Sequence, residues 1–176
     1  MMLKVRFDSE KALEAILYVA SKAPHADIYH VGKILYFADC AHLKEYGRMI
    51  CGDTYIAMKD GPVASGTYDI IKIARGDASF IPSGFDAESI QKSFSVNGYD
   101  VKALRKADED FFSESDIECI DQAIEEYGKM SFKAIRDKSH DGAWSAVTLN
   151  NVMPLELIAE KLDNSGLLLS YLQGED

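Results

Sequence analysis

Apolar residues recur at helical spacing from the start of the chain. Leu13, Ile16, Leu17 and Ala20 stand at i, i+3, i+4 and i+7, and Asp8 or Ser9 precedes them as a cap. Pro24 lies at or just past the end of that helix. Asp27 is placed to cap a second helix, with Val31, Ile34, Leu35, Ala38 and His42 on one stripe and Gly47 as its C-terminal stop. The two make a helical hairpin. The pattern then changes. Thr54-Tyr55-Ile56-Ala57-Met58 is β-branched and aromatic and predicts a strand, ended by the turn chemistry of Asp60-Gly61-Pro62. A helix follows from about Ser65 to Ala74, with Tyr68, Ile71 and Ile73 as core contacts and a stop near Gly76. Residues 77–101 lose helical periodicity. Short strands are expected at Phe80-Ile81, Phe94-Ser95-Val96 and Tyr99 to Val101, with Asn97-Gly98 turning the last two into a hairpin.

Helical spacing returns at Ser113 or Ser115, with Ile117, Ile120, Ile124 and Tyr127 inward and Gly128 as the end. Ser131 caps a helix holding Phe132, Ile135 and Arg136, and Trp144 falls in a short turn or helix after Asp141-Gly142. Pro154 suits the first turn of a last helix, Leu155 to Leu162, and residues 167–173 form a final apolar packing segment. The sum is an α+β fold, mostly α-helical: a compact helical domain with a small β-hairpin and short-strand insertion. No linker composition divides residues 1–176, so one domain is expected, with segment 154–173 packed on the rest.

A chain of 176 residues buries roughly 70% of its unfolded surface, enough for a core without disulfides or metal. Its three cysteines, Cys40, Cys51 and Cys119, form no C-x-x-C pair, which fits reduced thiols in a cytoplasmic protein. Lys4, Arg6, Asp8, Glu10, Lys11 and Glu14 interrupt any secretory apolar region, and the run from Ala15 to Ala20 is too short for a bilayer. The net charge is −10, which weighs against gripping nucleic acid or an anionic membrane. The charge is also uneven. Residues 1–107 carry 14 basic and 13 acidic side chains, whereas residues 108–176 carry 5 and 16. Glu114, Glu118, Asp121 and Glu125 recur on one helix face, read either as solvated surface or as a dock for a basic partner.

Candidate chemistry is sparse. Asp39 and His42 share a helix face at i, i+3 and, with Asp53 and His140, compose a carboxylate–histidine set that a first-row metal would accept, which makes a metal-dependent enzyme the alternative reading. His42 also lies on the apolar stripe, where a hydrogen-bonded core histidine is the plainer reading. No Gly-x-Ser-x-Gly elbow and no glycine-rich phosphate loop occurs. Residues 27–46 hold only Lys33 and Lys44 against Asp27, Asp39 and Glu45, too little positive charge for a recognition helix.

One longer string is distinctive. It runs Lys33-Ile34-Leu35-Tyr36-Phe37-Ala38-Asp39, His42-Leu43, Tyr46-Gly47-Arg48, Gly52-Asp53-Thr54-Tyr55-Ile56-Ala57-Met58-Lys59-Asp60-Gly61-Pro62-Val63, Tyr68-Asp69 and Arg75-Gly76-Asp77. Ser139-His140-Asp141-Gly142-Ala143-Trp144 follows later. Over about residues 10–150 the chain resembles the Panacea domain, the SocA-like antitoxin family often called phage-associated. Ala64 stands where that family usually has a proline after Gly-Pro-Val. The resemblance implies a mostly helical antitoxin that neutralises a toxin, encoded beside it, by direct protein contact. It implies no enzymatic activity and no cofactor. No basic DNA-binding extension accompanies it, so direct nucleic-acid binding is not expected. A protein-interaction module without a toxin partner is the other non-enzymatic reading. Tyr68 and Trp144, with the acidic helix face, are the expected partner contacts. The motif residues Tyr36, Asp39, Gly52, Asp53, Gly61, Pro62 and His140 are expected to shape the scaffold: Gly61 and Pro62 in a tight turn, Gly52 at a close backbone approach, Asp53 and Asp39 as hydrogen-bond acceptors.

Overall fold

A computed structural model of the chain describes residues 5–78, 81 and 83–174. Helix α1 (Ser9–Lys22) begins where Asp8 accepts the Lys11 amide, and its residues from Ala12 to Val19 are buried without interruption. Helix α2 (Ile28–Tyr46) opens on Asp27, which accepts the His30 amide, and closes at Gly47 with φ +74°. A Cβ at Gly47 would be strained and would also strike the Tyr171 ring. Helix α2 buries most of its circumference, as a helix surrounded by neighbours must. One side meets α1, α3 (Ser65–Arg75) and α5 (Glu114–Tyr127) in the larger core, centred on Ile16, Leu17, Ile34, Ile70 and Ile120. Its other side, through Tyr36 and Leu43, joins a second core with Tyr55, Met153, Ile158 and Leu168. Phe37 touches both cores, and its ring stacks on Tyr127 at a centroid distance of 3.9 Å.

The strand region differs from the sequence expectation at one point. Strand β1 (Tyr55–Met58) turns at Lys59-Asp60, and Gly61-Pro62 open a second strand, β2 (Gly61–Ala64), instead of ending the first. Strand pairing tolerates this proline for a geometric reason. The Ala57 N–H and C=O bond to Asn151 and Asn150, on the far side of β1 from β2. The Ala57–Pro62 pair therefore makes no ladder bonds, and the proline's missing N–H faces the outer edge of the sheet. A third strand, β5 (Val152–Met153), completes the antiparallel order β2-β1-β5; with two residues it carries no readable pattern.

The second hairpin pairs β3 (Phe94–Asn97) with β4 (Asp100–Ala103). Its turn is Gly98-Tyr99, one residue beyond the expected Asn97-Gly98. Gly98 alone has positive φ, as a type II′ turn requires of its first central residue. Helix α4 (Ala87–Ser93), capped by Asp86, occupies part of the stretch that shows no helical period; seven residues are too few to display one. Of the strand expected at Phe80-Ile81, Phe80 lies outside the described residues and Ile81 belongs to no strand. Helix α5 starts in a capping box of Ser113 and Asp116, and α6 (Phe132–Ser139) starts on Ser131. Helices α7 (Gly142–Ser145), α8 (Leu155–Glu160) and α9 (Ser165–Gln173) follow, and α8 packs against α2 and α9. The architecture is mostly helical α+β.

Candidate functional site

The first turns of α2, the β1–β2 hairpin, α3 and the β3–β4 turn enclose a cleft of about 210 Å³. Tyr29 and Gly32 stand on its α2 wall, Met58 and Val63 on the hairpin wall, and Thr67, Tyr68 and Ile71 on the α3 wall, while Tyr99 contributes from the β3–β4 turn. The lining is mainly apolar and aromatic. Its charged members are Lys33, Lys59 and Arg75 against Asp60. Arg75 pairs with Asp77 and donates to the Tyr68 hydroxyl at 3.3 Å, and the Lys72 ammonium lies over the Tyr68 ring. Asp60 is paired with Arg136 at 2.9 Å.

Lys33 is only 3% exposed. Its ammonium donates to the Pro62 carbonyl at 2.9 Å, the oxygen on the free edge of β2. Burial pushes this amine down to about 8; Asp60 pulls upward, and Arg136 adds to the depression. The approach also fixes Gly61. With φ +113° and the Lys33 side chain and Ser139 hydroxyl against it, that position has no room for a Cβ.

Behind the hairpin, Trp144 holds its tip. The indole N–H donates to the Met58 carbonyl at 2.8 Å, and the Trp144 amide caps onto Asp141. Asp141 in turn accepts the buried Tyr36 hydroxyl at 2.7 Å, so α2, α7 and the hairpin are joined through one carboxylate. The His140 ring stacks on Trp144 at 3.8 Å and bonds the Lys59 backbone; burial and then Arg136 lower its pKa. Tyr68 thus faces the cleft, whereas Trp144 grips the opposite side of the same hairpin.

The other motif aspartates are bound into the scaffold. Asp39 accepts the Ile50 amide at 2.7 Å and the Tyr55 hydroxyl at 2.5 Å. Asp53 accepts the amides of Thr54, Gly66 and Thr67 and the Thr67 hydroxyl, all within 2.8 Å. Gly52 has φ +70°, and a Cβ there would collide with the Arg6 carbonyl. His42 is fully buried: Nδ1 faces the Arg48 carbonyl and Nε2 the Ser115 hydroxyl, and burial lowers its pKa. The set Asp39, His42, Asp53 and His140 is therefore not assembled. Among the described residues, no group of three or more His, Cys, Asp or Glu side chains is placed to hold an ion.

Residues 31–145 match the family described as antitoxin SocA-like, Panacea domain. The chain belongs to this family. Its role is accordingly of the antitoxin type. No curated protein and no solved structure matches the chain. The Panacea segment contains the β1–β2 hairpin, α3 and the Trp144 clamp, hence most of the cleft wall; Tyr29, α8 and α9 lie outside it. No helix among the described residues is long and apolar enough to cross a membrane.

The acidic face of α5 is exposed, and parts of it are engaged. Asp121 accepts the Tyr18 hydroxyl at 2.6 Å and Glu118 the Tyr46 hydroxyl at 3.1 Å; Glu114 and Glu125 project into solvent. Asp116, two residues from Glu114 and so on the opposite face of the helix, is buried against Lys11 and Arg48, and these with the Ser113 amide overcome its burial and hold its carboxyl below the usual range. Sequence reasoning misses Gly32, Tyr29, Tyr99 and the burial of Lys33. A faint signal exists: Gly32 and Lys33 interrupt an otherwise apolar run from Val31 to Ala38.

Proposed function

We propose that this protein is a cytoplasmic antitoxin that neutralises a cognate toxin, encoded by the adjacent gene, by direct protein–protein contact. The observation that carries the reading is the Panacea match over residues 31–145. It is supported by a surface that combines a tyrosine-rimmed cleft with an exposed acidic helix, the two kinds of feature that anchor and steer a protein partner. The mechanism is occupancy: the antitoxin covers the toxin's active surface or holds it in an inactive form, with no turnover of its own. Tyr68, with Glu114, Glu118, Asp121 and Glu125, faces the toxin; Trp144 fixes the hairpin on which the contact rests.

The test is co-expression of the neighbouring open reading frame with and without this protein. Growth arrest by the neighbour alone, relieved when both are made and accompanied by a co-purifying complex, is the expected outcome. Equal arrest in both cases overturns the reading.

A further inference from the structure

Glycine weakens a helix interior relative to alanine, so a glycine inside α2 needs a reason. Gly47 and Gly61 have one in their positive φ, and Gly66 has one in the Phe7 ring, which a Cβ there would strike. Gly32 has neither. It is helical, and a Cβ built on it meets nothing within 4 Å. What the absent side chain leaves free is space in the cleft, whose wall Gly32 forms.

Lys33, the next residue, is a second and independent oddity. An ammonium carries three donors, and the Pro62 carbonyl is the acceptor within reach of this buried one. A buried lysine with a pKa depressed to about 8 is held at a cost to folding, and such groups concentrate at binding sites. With Lys59 and Arg75 against Asp60, the cleft is locally positive in a chain of net charge −10. Size narrows the occupant further. An apolar cavity of about 150 Å³ holds a benzene ring. A cleft of about 210 Å³ therefore has room for one large side chain.

We propose that the cleft is an anchor pocket of the toxin interface: one large apolar side chain of the toxin fills the space beside Gly32, and a carboxylate adjacent to it on the toxin chain meets the Lys33 ammonium. Tyr29, Tyr68 and Tyr99 close around the inserted group, as tyrosines do at binding hot spots. The inference rests on the antitoxin reading above and specifies its contact.

Two measurements test it on the full chain. In the first, N-acetylphenylalanine, which places an aromatic side chain beside a carboxylate, is titrated and backbone amide shifts are followed. Saturable shifts at Gly32, Thr67 and Tyr68 are expected, with the primary amide of the same compound binding about tenfold more weakly, as loss of a charge-assisted contact implies. Lys33→Met should abolish that tenfold preference. Gly32→Leu should fill the cleft and bind neither compound while melting no lower than wild type. Absence of saturable shifts overturns the proposal.

The second measures the dissociation constant of the complex with the adjacent gene product. Gly32→Leu and Lys33→Met should each weaken it by at least about tenfold. If a folded Gly32→Leu protein binds as tightly as wild type, the anchor pocket is refuted and the antitoxin reading stands. If wild type binds the small acid but not the gene product, the antitoxin reading fails, and with it the toxin as occupant. Tyr68→Ala, at the half-exposed rim, decides in the same way should Gly32→Leu fail to fold.

Discussion

At the scale of single residues, Asp39 shows what a buried carboxyl does in this scaffold. It is 4% exposed and joins α2 to the following loop through Ile50 and to β1 through Tyr55. Burial raises its pKa from 3.8 to about 6, with the Tyr55 and Ile50 bonds pulling the other way. A carboxyl raised in the folded state binds its proton more tightly there than in the unfolded chain, so stability falls as pH rises through the interval between the two values. Relative to Asp39→Asn, the wild type should lose stability between about pH 4 and pH 6, by on the order of 1–3 kcal/mol, and change little outside that window. Asparagine is a fair reference, because the Tyr55 hydroxyl can rotate to accept from its amide. Urea unfolding of both proteins at intervals of pH measures the difference. A constant difference across the window contradicts the assignment.

At the scale of elements, caps decide how much of the fold is legible in the sequence. Helices α1, α2, α5 and α6 each begin on a local side chain, Asp8, Asp27, Ser113 or Ser131; the sequence places the α2 and α6 caps to the residue and leaves those of α1 and α5 between two candidates, Asp8 or Ser9 and Ser113 or Ser115. Helix α3 is different. Its own N-cap, Ala64, has no side-chain bond to offer, and Asp53 reaches in from before β1 to accept the Gly66 and Thr67 amides. Asp53→Ala should cost about 2 kcal/mol, the upper part of the range for a lost cap, because the freed amides are largely buried. Hydrogen exchange at Gly66 and Thr67 should accelerate with it; unchanged exchange at both would refute the capping role. Strands β2 and β5 and helix α4 escaped the sequence for related reasons. Pro62 reads as a turn unless the bonding direction of Ala57 is known, and very short elements carry no period. The cleft was only partly legible for the same cause. Tyr68 stands out as a residue type, but what makes Gly32 and Lys33 notable is what lies opposite them, and a linear pattern does not contain that.

At the scale of the whole molecule, the separation of charge has a kinetic meaning. Residues 108–176 carry a net −11 against +1 for the rest of the chain, and α5 presents five of their acidic side chains at the surface. Exposed charges change how fast partners meet, whereas a filled pocket changes how long they stay together. The two candidate contact regions therefore predict different rate constants. Glu114, Glu118 and Glu125 can be reversed to lysine while leaving Asp121, whose bond to Tyr18 ties α5 to α1. That triple variant should slow association with the toxin by about tenfold at low salt, flatten the salt dependence and leave dissociation nearly unchanged. Gly32→Leu should do the converse, raising the dissociation rate with little change in association or in its salt slope. Surface-capture kinetics over a range of ionic strength separates them. If the lysine variant associates like wild type at every salt concentration, the α5 face is solvated surface alone. The partner's recognition then rests on the cleft, and the acidic half of the chain serves solubility, not encounter.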